Sequence, residues 1–441
     1  MSDAPVRTSP VSRLAGTFLL GAYRAFGLVV TPFLPILFAR RAARGKEDPS
    51  RRGERFGRAG RARPPGRLAW LHAASVGEMN AARPLMQALR ARDFTVLLTT
   101  GTVTSARIAA GESDPGVIHQ FVPYDTPSNF ARFLRHWRPD LAITLESEVW
   151  PAMIAALAAR RIPLVVASAS MSERTARGWS RMLPLARAVF SRIPLCLAQT
   201  AADAERLHHL GVPRVEICGN LKFDGTRLPV DEDALAALRA RIADRPVWLA
   251  ASTHDGEELL AARVHQALTT DFPALLTIIV PRHPERGDAI AASLAARGLR
   301  LSRRSHGELP SPDGDIYLGD TIGEMGLFHR VAPVAFIGKS LVPEGGQNPL
   351  EAARLETAIL TGPHVFNLQD IYRPLIAAQG AEVVEDADAL ARALARLLAD
   401  PELRRARAAT AASVVAAGSG ALAASLDALT PLLAALPETG R

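Results

Sequence analysis

The feature that most constrains this chain is a short grammar that it repeats four times: an apolar run, a small polar residue, and a carboxylate three positions later. It occurs at Ser75-x-x-Glu78, Ser252-x-x-Asp255, Thr321-x-x-Glu324 and Asn348-x-x-Glu351. A short apolar run bounded by turn residues suits a strand buried on both faces. A capping pair directly after it starts a helix, because the small side chain accepts one free N–H and the carboxylate reaches back to another. A chain that keeps writing strand and then helix folds as a parallel sheet with helices on both faces. Helix starts at the carboxyl ends of parallel strands are also where such folds hold anions, since free N–H groups and the helix dipole favour negative charge.

The rhythm extends along the chain. Strands are expected at 68–74, 94–99, 117–122, 141–145, 164–167 and 195–198, with Ala/Leu/Arg-rich helical segments between them. Gly219–Val230 breaks the pattern with Gly, Asn, Asp and Pro and reads as a linker. A second series is expected at 247–251, 275–280, 299–303, 315–318, 331–337, 358–361 and 381–384, before an Ala-rich helical tail from Asp400. With 441 residues, two α/β domains are the natural division. The expected boundaries are 1–45 for a membrane anchor, 46–228 for one doubly wound domain and 229–441 for another.

Charge separates the first segment from the rest. Residues 1–67 hold 14 Lys+Arg against 4 Asp+Glu, leaving 38 against 40 in the remainder. The basic character therefore belongs to the N-terminal segment. Aromatic residues are few and do not interleave with the arginines, which argues against a nucleic-acid partner. Leu14–Ala39 is apolar except for Arg24 and is followed by Arg40, Arg41, Arg44, Lys46, Arg51 and Arg52. That order reads as a membrane anchor, spanning or interfacial, with the basic cluster on the cytoplasmic side. The alternative is a buried helix pair of the first domain. Cys196 and Cys218 are the only cysteines, and no metal-ligand spacing is present.

The densest stretch runs from Gly319 to Glu351. Thr321 and Glu324 form one capping pair, and Asn348 and Glu351 another with Pro349 at the first helical position. Gly345-Gly346 just before lets backbone approach a ligand. A single capping pair is structural more often than not; four of them, with Gly-Gly, His and Arg alongside, point to a ligand cleft. Arg282 follows an apolar run directly and can fork a phosphate or carboxylate. Glu78, after the first run, can serve as a general base or simply as the partner of the Ser75 cap. Glu146 and Glu148, two apart on an extended segment, would face opposite sides, so that one enters the cleft and the other is solvated. Lys222 is one of only three lysines in an Arg-rich chain, a hint that a compact ammonium is wanted there.

Together these stretches resemble the 3-deoxy-D-manno-octulosonic acid (Kdo) transferases. The resemblance is carried by Leu71-His-Ala-Ala-Ser-Val-Gly-Glu78, Glu146-Ser-Glu-Val-Trp-Pro151, Ser252-Thr-His-Asp-Gly-Glu257, Pro281-Arg-His-Pro-Glu-Arg286, Gly319-Asp-Thr-Ile-Gly-Glu324 and Gly345-Gly-Gln-Asn-Pro-Leu-Glu351. Arg52–Gly57 and Pro363–Asn367 fit as well; the tail does not align. The resemblance implies a GT-B fold, with an N-terminal Rossmann-like domain for the acceptor and a C-terminal one for the donor. It implies an inverting transfer from CMP-Kdo to a lipid A precursor in lipopolysaccharide synthesis, at the cytoplasmic face of the inner membrane, without cofactor or metal. Glu78 matches the catalytic base; Glu148 and Lys222 match transition-state stabilisers. Pro281, Arg282, Ile322, Gly323, Glu324, Asn348, Pro349, Leu350 and Glu351 match the CMP-binding stretches. Two other readings stay open: another GT-B enzyme acting on a nucleotide sugar, such as an epimerase, and a non-catalytic lipid-binding module. The first has no use for the anchor, the second none for Glu78.

Overall fold

The computed structural model describes residues 10–111, 114–225 and 227–436. Residues 1–9 of the expected anchor, Thr226 of the expected linker and the last five residues of the tail lie outside them. The chain divides into two units, one comprising residues up to Gly225 and again from Gly418, the other Thr226–Ala417.

The first unit contains β1 (Arg67–Ala73), β2 (Phe94–Thr100), β3 (Val117–Phe121), β4 (Leu141–Leu145), β5 (Leu164–Ala169), β6 (Leu195–Ala198) and β7 (Val215–Ile217). All pair in parallel, in the order β3-β2-β1-β4-β5-β6-β7. The chain walks outward from β1 to β3 and then returns to β4, so β1 and β4 flank the switch point where such sheets open a ligand crevice. The first six strands fall where the apolar runs place them. The sequence reading omitted β7, a three-residue edge strand without an apolar run of its own. Trp70, Phe130, Phe133 and Trp137 fill one core of this unit; Met79, Leu85, Leu89 and Phe94 belong to the other.

The tail corrects the expected boundary. The helix Ala421–Ala434 belongs to the first unit, where Ala428 and Leu429 are buried in the second of these cores. Asp224 fixes its start by accepting from the Gly420 N–H at 2.6 Å. A sequence reading that assigns each stretch to its neighbours has no means of seeing such a return.

The N-terminal segment forms the helix Pro10–Val30, a 3-10 turn and the helix Leu34–Ala42. The first helix lies on the first unit along Gly16, Leu20 and Gly27, its buried residues. A Cβ at Gly16 would fall 2.2 Å from the Pro184 carbonyl oxygen, so only glycine allows this approach. Tyr23 donates to Asp125 at 3.0 Å. The opposite face stays bare: Val11, Leu14, Phe18 and Phe26 are each about two-thirds to three-quarters exposed.

The second unit contains β8 (Val247–Thr253), β9 (Leu276–Pro281), β10 (Leu301–Arg303), β11 (Ile316–Leu318), β12 (Val334–Ile337), β13 (Ala358–Thr361) and β14 (Ala381–Val383). The sheet is again parallel, ordered β10-β11-β9-β8-β12-β13-β14, with its switch point between β8 and β12. β12 starts three residues later than expected because the preceding helix, Met325–Val331, claims Val331, and Pro333 has no N–H for the ladder.

Of the four expected capping pairs, only Ser75/Glu78 forms as read, with Ser75 Oγ accepting the Glu78 N–H. The helix after β8 begins at Glu257 behind Gly256, whose φ is +91°, and Asp255 instead pairs with Arg286. Glu324 itself stands at the helix start and takes the Thr321 hydroxyl at 2.5 Å. Asn348 Oδ1 does accept a helix N–H, that of Leu350 at 3.0 Å, but the helix is only Leu350–Arg354.

Candidate active site

At the switch point of the first unit, the loop after β1 carries Glu78 and the loop after β4 carries Glu146 and Glu148. The buried Glu78 carboxylate accepts from the Ala74 N–H at 2.8 Å and from the Ser75 hydroxyl at 2.8 Å. Burial is the main cause that raises its pKa, and the neighbouring charges of Glu146 and Glu148 add to the rise. A carboxylate pushed toward neutrality is a better proton acceptor than a solvated one.

Glu146 and Glu148 do not alternate as an extended segment would. Glu146 has φ +55° and opens a turn, so the rule of opposite faces fails and both carboxylates stand near Glu78. Lys222, in the 3-10 turn Leu221–Asp224, meets Glu146 at 2.6 Å with its side chain almost enclosed. The expected linker is thus, up to Gly225, part of the first unit. Glu148 accepts from Trp150 Nε1 at 2.6 Å.

His72 is the residue in this cluster to which sequence reasoning gave no role. It is wholly buried in β1, with Nδ1 3.0 Å from the Thr99 carbonyl oxygen, an acceptor that fixes the proton on Nδ1. Its Nε2 has no hydrogen-bond partner and lies 3.7 Å from Glu148 Oε2. The ring also stands edge-on to Trp150. A polar residue inside an apolar strand run was the available signal.

In the second unit, the loops after β8, β9, β11 and β12 carry the other expected residues. Arg282 is exposed directly beyond β9, its N–H bonded to the Thr253 carbonyl at 2.9 Å. Glu351 is raised in pKa by burial, with Arg354 and Arg282 opposing the rise. The carboxylate is therefore close enough to Arg282 to feel its charge. Pro281, Pro349 and Leu350 are buried and shape the loops through their backbone. Ile322 is 88% exposed, Gly323 has φ +90°, and Asn348 is exposed. Glu324 is clamped by Arg304, whose Nε lies 3.1 and 3.0 Å from its two oxygens, and this contact holds its pKa below the usual range.

Two further groups build this half; both lie in the stretch Ser252–Glu257, where the sequence assigned them no role of their own. Glu257, buried, accepts the N–H groups of His254, Lys339, Ser340 and Leu341 at 2.9, 2.6, 3.0 and 3.1 Å. One carboxylate thereby ties the loop after β8 to the loop after β12. His254 lies 3.1 Å from Glu344 and 3.1 Å from Gln347 Nε2. Gly345 and Gly346 have φ of +104° and +80°, and a Cβ at Gly345 would collide with Asn367. Among the described residues no three His, Cys, Asp or Glu side chains are placed to hold a metal ion.

Chemically, the first unit offers an enclosed base among carboxylates neutralised by one ammonium. The second offers an arginine and a buried carboxyl of raised pKa beside glycine-rich loops, which suits a phosphate and a sugar hydroxyl. Residues 50–225 match the sequence profile of the 3-deoxy-D-manno-octulosonic-acid transferases (kdotransferases). A 3-deoxy-D-manno-octulosonic acid transferase of Haemophilus influenzae is 36% identical over 93% of this chain and 98% of its own length. One from Bordetella pertussis is 40% identical over 85% of this chain and 90% of its own. Among solved structures, a glycosyltransferase from Rickettsia africae is 12% identical with a TM-score of 0.54, over 84% of this chain and 99% of that one. That likeness gives the GT-B architecture alone, two Rossmann-like units in one chain. The near-complete coverage by relatives at this identity decides the rest: the chain is a glycosyltransferase that belongs to the 3-deoxy-D-manno-octulosonic acid transferase family.

Proposed function

We propose that this chain moves Kdo from CMP-Kdo to a lipid A precursor in lipopolysaccharide synthesis. The first unit presents the acceptor and the second holds the donor. The observation that carries this reading is Glu78: an enclosed carboxylate of raised pKa at the switch point, with Lys222 as the cation among its neighbours.

In this scheme Glu78 takes the proton of an acceptor hydroxyl as its oxygen attacks the anomeric carbon of Kdo. The bond to the CMP phosphate breaks on the opposite face, which inverts the centre in one displacement. Glu148, oriented by Trp150, stands in this scheme beside the positive charge that develops on the sugar. Lys222 counters charge on the departing phosphate, and Glu146 holds it in position. Arg282 takes the phosphate of CMP and Glu351 a ribose hydroxyl; Ile322–Glu324 and Asn348–Leu350 frame the nucleotide with backbone groups. Helix starts and guanidinium groups supply positive potential without a metal.

The N-terminal helices place this chemistry at a lipid surface. A helix fixed to the unit by Gly16, Leu20 and Gly27, with bare Leu and Phe side chains outward, lies in the interface rather than across it. The following arginines favour an anionic cytoplasmic leaflet of the inner membrane. Purified protein incubated with CMP-Kdo and a lipid A precursor should yield an acceptor heavier by whole Kdo residues in mass spectrometry. An unchanged acceptor, with protein shown to be folded, refutes the assignment.

A further inference from the structure

We propose that the buried ion pair of Arg55 and Glu47 is a positioning element for Glu78, acting through the backbone of Gly101 in the loop after β2. The inference rests on the assignment of Glu78 as the base. Arg55 belongs to the stretch Arg52–Gly57, which carries part of the family resemblance yet has no part in the transfer itself.

Continuous contacts join the pair to the base. Arg55 is 4% exposed, and each of its three side-chain nitrogens has a fixed acceptor. Nε donates to Glu47 Oε2 at 2.7 Å, Nη1 to the Val122 carbonyl at 3.1 Å and Nη2 to the Gly101 carbonyl at 2.6 Å. Glu47, also buried, takes Arg41 Nε at 2.7 Å and the Tyr124 hydroxyl at 3.1 Å as well. The loop held in this way touches the support of the base. The Gly101 N–H donates to the Ala74 carbonyl at 3.2 Å, and the Ala74 N–H donates to Glu78 Oε2 at 2.8 Å. A Cβ at Gly101 would fall 3.0 Å from the Ala74 oxygen, so the two loops already stand in close contact. Glu54, from the same stretch, secures the same corner. It accepts the Phe121 N–H at 2.7 Å and Arg51 Nε at 3.0 Å, and Arg51 Nη2 donates to the His119 carbonyl at 3.1 Å. His119 Nε2 lies 2.9 Å from the hydroxyl of Thr100, the residue before Gly101. All of these residues belong to the first unit.

Stability alone does not call for this arrangement. Taking two ions out of water costs about what their attraction returns, and an apolar pair of similar volume would hold a fold as well. What the ions add is direction. A planar guanidinium fixes three acceptors at once, which neither an apolar side chain nor a lysine can do. The loop so fixed matters to the base in two ways. Burial has the largest effect on the Glu78 pKa and raises it; the Ala74 N–H comes next and lowers it. Glu146 and Glu148 add to the rise, the Ser75 hydroxyl opposes it, and Lys222 meets Glu146. A slack loop after β2 would loosen Ala74 and leave the base both misplaced and harder to ionise.

R55K tests this, because it keeps a charge beside Glu47 and loses the fork that holds Gly101. Full-length protein is assayed with CMP-Kdo and a detergent-dispersed lipid A precursor. Turnover of R55K should fall by on the order of 10²-fold, the scale of a misplaced catalytic group. The acid limb of kcat/KM should move up, while the CMP-binding isotherm stays that of the wild type. The deciding measurement is the same substitution on E78Q. With the base gone there is nothing left to position, so E78Q/R55K should be no slower than E78Q. Losses that multiply, or an R55K enzyme with wild-type turnover and limb, would leave the pair a structural support and overturn the inference. If E78Q alone turns over at full rate, the assignment of the base fails and the inference falls with it. A thermal melt establishes that R55K folds. Should it not, G101A presses on the Ala74 carbonyl without touching the ion pair, and its loss should likewise vanish on E78Q.

Discussion

Replacing Glu78 by Gln removes the proposed base while leaving its scaffold intact. The carboxylate accepts from the Ala74 N–H and the Ser75 hydroxyl, each at 2.8 Å. The amide oxygen of Gln can keep the first bond, and its NH2 can donate to Ser75 Oγ, since a hydroxyl serves in either direction. The Ser75 cap to the residue-78 N–H is untouched. The substitution also deletes a buried negative charge beside Glu146 and Glu148. The sign of the stability effect follows: a carboxyl whose folded pKa is raised contributes stability at low pH that is lost as pH rises through the folded value. At neutral pH E78Q should therefore melt at or above the wild-type temperature. Turnover should fall by about 10²- to 10⁴-fold, the usual share of a positioned base, which is roughly 3–5 kcal/mol of barrier. Single-turnover transfer from CMP-Kdo, read by mass spectrometry beside a thermal melt and a CMP-binding isotherm, measures all three. In the wild type the acid limb of kcat/KM should lie above the ordinary carboxylate range. A folded E78Q protein with near-normal turnover would refute the reasoning and leave Glu78 as a helix cap.

Lys222→Ala should lower kcat and move the acid limb further up, because Glu146 loses its counter-ion and Glu78 then ionises among unbalanced carboxylates; a full-rate enzyme with an unmoved limb removes Lys222 from the site. Asp320→Asn should destabilise the second unit by about 3–5 kcal/mol, the scale for breaking a buried ion pair, since this enclosed carboxylate accepts from Arg303 at 3.0 and 2.7 Å and from Ser305 at 3.0 and 2.8 Å. Burial works to raise the Asp320 pKa, but those bonds outweigh it and hold it low; the stability it contributes is present above the unfolded carboxyl value and is lost as pH falls through the folded one, so the wild-type advantage in urea titrations should vanish in acid. Membranes carrying the full-length chain should retain it in 1 M salt, where the Debye length is about 3 Å, and release it to detergent; release by salt alone would mean that the apolar face of Pro10–Val30 is not in the bilayer.

Much of this architecture is legible in the residues alone. Buried parallel strands are apolar on both faces, so the central strands β1, β4, β5, β8, β9 and β12 announce themselves as runs, whereas the edge strand β7 has only one packed neighbour and no such run. The positions of Glu78, Glu148 and Arg282 at strand ends are likewise set by local order. Local order could not say that Glu146 adopts φ +55° and turns two carboxylates toward one base, because that conformation is imposed by the surroundings of the turn. Nor could it say that Glu257, and not Asp255, holds the loops after β8 and β12, since its partners stand more than eighty residues away. The same holds for His72 beside Glu148 and for the helix Ala421–Ala434 in the core of the first unit. Periodicity and capping are written in neighbouring residues and so can be read from sequence. Which buried polar group meets which, and where an apolar helix finds its cover, depends on contacts between distant stretches, and only the tertiary structure decides them.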